Sequence, residues 1–135
     1  MSFLIWDKRL SVGHAEMDEQ HRQQMNLINR LHDAMVADED QVTLETILNE
    51  LINFTRKHFA AEEQLMLEQG FSGLPHHKAA HSRLIRRLRE FQRRLQAGDS
   101  HAAADVLGHM QAWLVDHIRE EDVRYSPIAA APIDA

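Results

Sequence analysis

Apolar residues recur every three or four positions through four long stretches of this chain, and no run of four to eight residues alternates apolar with polar. That periodicity belongs to helices with one buried face and excludes half-buried strands, so the fold class is all-α. The first stretch, from about Asp18 to Val36, carries Met17, His21, Met25, Ile28, Leu31 and Met35 on one face, with Asp18 as its N-cap. The second follows a polar break over 37–40 and presents Leu44, Ile47, Leu48, Leu51, Phe54, His58, Glu62, Leu65 and Met66 before Gly70 stops it. After the loop 70–75, a third presents His77, His81, Leu84, Ile85, Leu88, Phe91 and Leu95, and after Asp99 and Ser100 a fourth presents Leu107, Met110, Trp113, Leu114, His117 and Ile118. Short connections make sequence neighbours antiparallel, which predicts an up-down-up-down four-helix bundle. The expected layout is one domain over 1–135: an extended N-terminal arm over 1–17, the bundle over 18–125 and a tail over 126–135.

Composition narrows the chemistry. The chain has no cysteine, which excludes disulfides, thiolate zinc sites, iron-sulfur clusters and a thiol nucleophile. Any metal must rest on histidine and carboxylate. A net charge of -6 argues against a nucleic-acid partner. The short apolar run Phe3 to Trp6 meets charges at once, so it reads as neither a signal peptide nor a membrane span, and the expected compartment is the cytoplasm.

Ten histidines are many for 135 residues, and their positions matter more than their number. His58 with Glu62, and His77 with His81, are spaced four apart and so lie on one helix face, one turn from each other. Single pairs of this kind arise by chance. Here His21, the two pairs and His117 fall on the inner stripes of four different helices, where unpaired polar groups are costly. In antiparallel helices rising about 1.5 Å per residue, the start of the first and third and the end of the second and fourth share one level. All six side chains therefore converge at one end. Phe59, Trp113, Leu114 and Ile118 are core residues by spacing. Asp122 is five residues past His117, about 140° round an ideal helix, and geometry alone leaves it off the inner face.

No Glu-x-x-His occurs, which counts against a ferritin-like di-iron carboxylate site. Lys78 follows His77, so no His-Glu-x-x-His zinc protease motif is present, and the His14-Ala15-Glu16 triplet has no cysteines to make a deaminase site.

The chain resembles the haemerythrins, specifically the stand-alone bacterial kind, from Ile5-Trp6 to Tyr125. The resemblance is carried by Ser11-Val12-Gly13 with Met17-Asp18-Glu19-Gln20-His21, by His58-Phe59-Ala60-Ala61-Glu62-Glu63, by His77-Lys78-Ala79-Ala80-His81, and by Trp113-Leu114-Val115-Asp116-His117 with Asp122-Val123-Arg124-Tyr125. It implies two irons per chain joined by an oxo or hydroxo bridge, with His77, His81 and His117 on one, His21 and His58 on the other, and Glu62 and Asp122 bridging both. That donor set leaves a single position open, on the iron with two histidines, which suits a small diatomic ligand. Phe59, Trp113, Leu114 and Ile118 become the wall of an oxygen pocket. The implied function is reversible dioxygen binding by a carrier or store rather than an enzyme, in a monomer that passes oxygen to an oxygen-consuming protein. The alternatives on the same site are a sensor of oxygen, nitric oxide or redox state, and a peroxidase or nitric oxide reductase. His14 departs from the family, where an apolar residue is more usual. His14, His32, His76, His101 and His109 are expected to have surface or hydrogen-bonding roles. The basic face of Arg83, Arg86, Arg87, Arg89, Arg93 and Arg94 is expected to be a solvated face.

Overall fold

The computed structural model describes residues 3–6 and 8–120; the side chains of Arg9, Val115, Ile118, Arg119 and Glu120 are outside that description. Among the described residues there are four α-helices, α1 (Ala15–Val36), α2 (Gln41–Glu68), α3 (Leu74–Gln96) and α4 (Ala102–Glu120), with one 3-10 turn, Lys8–Leu10, and no strand. Each helix packs on its sequence neighbours and α4 closes against α1, which makes an antiparallel four-helix bundle. No described helix is long and apolar enough to cross a membrane.

The connections are short because each helix end is satisfied locally. Asp40 accepts from the Thr43 amide at 2.8 Å to start α2. Gly70 ends the same helix at φ 68°, a left-handed conformation that glycine adopts without penalty, and Gly98 repeats this after α3 at φ 85°. Pro75 lies in the first turn of α3, where a missing N–H costs nothing. That helix begins inside what reads in sequence as the 70–75 loop.

The start of α1 corrects the expectation. Asp18 is not its N-cap. His14 is, its ring Nδ1 accepting from the Met17 amide at 3.3 Å, so the helix begins one turn earlier. Asp18 is instead buried and turned back on the segment before the helix, accepting from the Ser11 hydroxyl and, at 2.8 Å, from the Val12 amide. A carboxylate can serve several donors at once, which is why it takes this role in preference to a single cap bond. Leu4, Leu10 and Val12 are buried in that segment, and the Leu4 backbone exchanges two hydrogen bonds with Asn29 on α1.

One end of the bundle is dry. Ile28 and Leu31 of α1, Leu48 and Leu51 of α2, Leu88 and Phe91 of α3 and Leu107 of α4 are buried together there. Arg83, Arg86, Arg87, Arg89 and Arg93 stay exposed on the outer face of α3, with Arg87 paired to Glu90 and Arg94 to Asp99 and Asp105.

Candidate metal centre

At the other end the core turns polar. His21, His58, Glu62, His77, His81 and His117 are between 0% and 6% exposed, and they meet as the antiparallel levels require. Glu62 is at the middle. His21 Nε2 lies 3.3 Å from one of its oxygens, and His58 Nε2 and His81 Nε2 lie 3.3 and 3.4 Å from the other. The His77 ring stands edge-on to His81 at 4.6 Å and to His117 at 4.9 Å.

Among the described residues two groups can each hold a metal ion, with all donor atoms of a group within 4.8 Å of one another. One is Glu62, His77, His81 and His117; the other is His21, His58 and Glu62. Glu62 belongs to both. Asp122 and the side chain of Ile118 lie outside the described residues, so the second carboxylate and one member of the expected wall are not placed.

The rings are oriented from outside. His58 Nδ1 donates to Gln20 Oε1 at 2.7 Å, and His81 Nδ1 donates to the Glu63 carboxylate at 2.9 Å. With the hydrogen committed outward, the neutral ring keeps its Nε2 lone pair for the interior. Both Nε2 atoms are buried and make no hydrogen bond, which is the condition a metal ligand satisfies and an ordinary core histidine does not. Burial acts to raise the Glu62 carboxyl. When these rings carry a proton, the closeness of His58, followed by His21 and His81, outweighs it and holds the group well below the usual carboxylate range.

Apolar groups close the remaining sides. Phe59 stacks flat on His81 with centroids 3.6 Å apart, and Trp113 stacks on His117 at 4.2 Å. Leu114 is buried beside them.

The sequence reading missed Gln20 and Glu63 as ring partners. Each is the immediate neighbour of a donor, Gln20 before His21 and Glu63 after Glu62, and so lies about 100° round the helix from it, off the inner stripe. The other five histidines stay out of both donor groups. His14 caps α1. His32 is half-buried and stacks on Phe3 at 4.6 Å. His76 and His101 are exposed, and His109 packs beside Phe91, where burial and then Arg87 push its pKa down.

Comparison with known proteins gives the family. Residues 12–129 match the family described as the Hemerythrin HHE cation binding domain. A "Bacteriohemerythrin" of Pseudomonas aeruginosa is 37% identical over 125 residues, covering 93% of this chain and 80% of that protein. Another from Methylococcus capsulatus is 31% identical, covering 97% of this chain and 100% of its own. The crystal structure of a wild-type hemerythrin superposes with a TM-score of 0.88 at 27% identity, over 96% of this chain and 99% of that one. Since the match runs through all four helices and every donor that the described residues bring together, the chain belongs to the haemerythrin family.

Proposed function

We propose that the chain holds two non-haem irons and binds dioxygen reversibly, as a carrier or store. The observation that carries this reading is the pair of unequal donor groups sharing Glu62, three histidines on one side and two on the other. Glu62 would be a donor to both ions, and the family resemblance assigns Asp122 as a second carboxylate donor. His21 and His58, the smaller set of histidines, would leave room for a small ligand on their side of Glu62. The irons, when bound, supply the electrons that dioxygen takes up and returns.

The chain's own residues do the rest. Imidazoles outnumber carboxylates among the donors, and neutral ligands favour the ferrous state over the ferric. Gln20 and Glu63 fix the ring tautomers of His58 and His81. Phe59, Trp113 and Leu114 keep water from the ligand, so that it leaves as dioxygen, and the resemblance adds Ile118 to that wall. An oxygen-consuming protein is the recipient.

Metal analysis followed by an anaerobic oxygen titration tests the reading. The expected result is two irons per chain, with dioxygen taken up by the reduced protein and returned on evacuation. One iron per chain, or a tight preference for zinc, overturns it. A protein that consumes peroxide or nitric oxide and never returns dioxygen is an enzyme instead.

A further inference from the structure

The layer next to His21 and His58, one turn into the bundle, is polar. Gln24 follows His21 by three residues on α1 and Thr55 precedes His58 by three on α2, so each lies on its histidine's face, about 4.5 Å deeper. The two touch as the histidines do. Gln24 Nε2 donates to Thr55 Oγ1 at 3.0 Å, and the rings of His21 and His58 meet at 4.6 Å. On the opposite side of the bundle the same level is filled by Leu84, three residues after His81, and Leu114, three before His117.

Nothing in the packing asks for an amide here. Deeper along the same interface Ile28, Leu31, Leu48 and Leu51 fill the space with hydrocarbon. Gln24 is 1% exposed and Thr55 0%, yet Gln24 Oε1 makes no hydrogen bond. A buried carbonyl oxygen left unmet is disfavoured against a leucine of similar size, and such an atom calls for a partner that arrives later.

We propose that Gln24, oriented by Thr55, is the hydrogen-bonding partner of the small ligand, or of a water in its place, on the two-histidine side of the centre. This rests on the iron reading above. The donor group that is short of a ligand is the one built from His21 and His58, and the amide occupies the level directly beneath them. A threonine hydroxyl donates or accepts, so the amide turned end for end keeps its bond to Thr55 and offers N–H in place of C=O. The pair thus serves a water or protonated ligand in one orientation and an anion in the other. The ligands it favours are small and able to hydrogen-bond.

The test compares wild type with Gln24→Leu, Gln24→Met and Thr55→Val, in three measurements: iron content, the urea midpoint of the apoprotein, and azide affinity of the ferric protein. Azide is the probe because it is a small anion that accepts hydrogen bonds. Iron content should match wild type, and the apoprotein midpoint should stay level or rise. Azide affinity should fall about ten-fold or more in both Gln24 variants, and in the same direction in Thr55→Val. Unchanged azide affinity in an iron-replete Gln24 variant overturns the proposal. A lowered apoprotein midpoint with azide binding unmoved also overturns it, and marks the pair as a tie between α1 and α2. Gln24→Met, closest in shape, decides if leucine disturbs the fold. A wild type that takes up no iron overturns the metal reading itself, whereas failure of this proposal alone shows only in loaded protein.

Discussion

Gln20 of α1 and His58 of α2, 38 residues apart in sequence, meet at 2.7 Å, the amide oxygen accepting the ring's Nδ1–H. Glu63 of α2 does the same for His81 of α3 at 2.9 Å. In both cases the acceptor comes from the helix before the donor's. The aim of a ring is therefore set by how two helices pack, and a loosened helix pair turns the ligand as well as the backbone.

Removing such an acceptor should weaken metal retention without unfolding the chain. Gln20→Ala is expected to lower iron affinity about 10- to 100-fold. Competition with a chelator measures it, and circular dichroism of the apoprotein shows that the helices remain. Affinity equal to wild type would mean that the ring is held by packing alone.

The histidines should separate into two classes on substitution. His77→Ala or His117→Ala removes a donor from the larger group and should lower iron content. His101→Ala should change nothing, since the ring is exposed. His14→Ala should keep its iron but lose the α1 cap, at a cost of about 1 kcal/mol in folding stability. Equal iron loss in His101→Ala and His77→Ala would show the donors to be wrongly assigned.

Acid should strip the metal before it unfolds the chain. Imidazole must be deprotonated to hold a metal, so iron affinity falls as the solution is acidified. Glu62 follows later. Burial opposes its ionisation, but His58, His21 and His81 win and hold its folded pKa well below the usual range. Such a group stabilises the fold above its unfolded pKa, about 4.3, and that contribution is lost only as pH falls through the lower folded value. Iron release and helix content followed on one sample should give two transitions in that order. Iron affinity unchanged down to about pH 4 would contradict histidine ligation.

Leu114→Ala tests the wall. The leucine is 1% exposed and one turn from His117, so truncation leaves a cavity and should lower apoprotein stability by about 2 to 5 kcal/mol. Iron content should stay at wild type, while the lifetime of the oxygenated form shortens as water enters. Stopped-flow mixing of the reduced protein with air, followed by repeated deoxygenation, reads both. An oxygenated form as long-lived as wild type would remove Leu114 from the pocket.

The clustering of the buried histidines and Glu62 was legible in sequence because two regularities overlap on them. His58 with Glu62 and His77 with His81 share the helix period, and antiparallel order puts His21 and His117 at their level. Their partners obeyed neither rule. Gln20 and Glu63 sit one position off the inner stripe, where a residue reads as surface until the adjoining helix is in place. Gln24 and Thr55 lay on the stripe itself, and the signal available was a polar residue among Met25, Ile28 and Leu51. Asp18 misled for a physical reason: the residue types that cap helices also bind turns, and only the packed segment at Ser11 and Val12 shows which it does here.

The division of the bundle into a dry end and a donor end gives the molecule a permanent half and a conditional half. Ile28, Leu31, Leu48, Leu51, Leu88, Phe91 and Leu107 hold all four helices by burial of hydrocarbon, which needs no cofactor. The donors, drawn one or two from each helix, act as a clasp at the opposite end. On the proposed reading, a newly made chain would assemble first and wait, already in register, for its metal. An ion that leaves opens the clasp and not the knot.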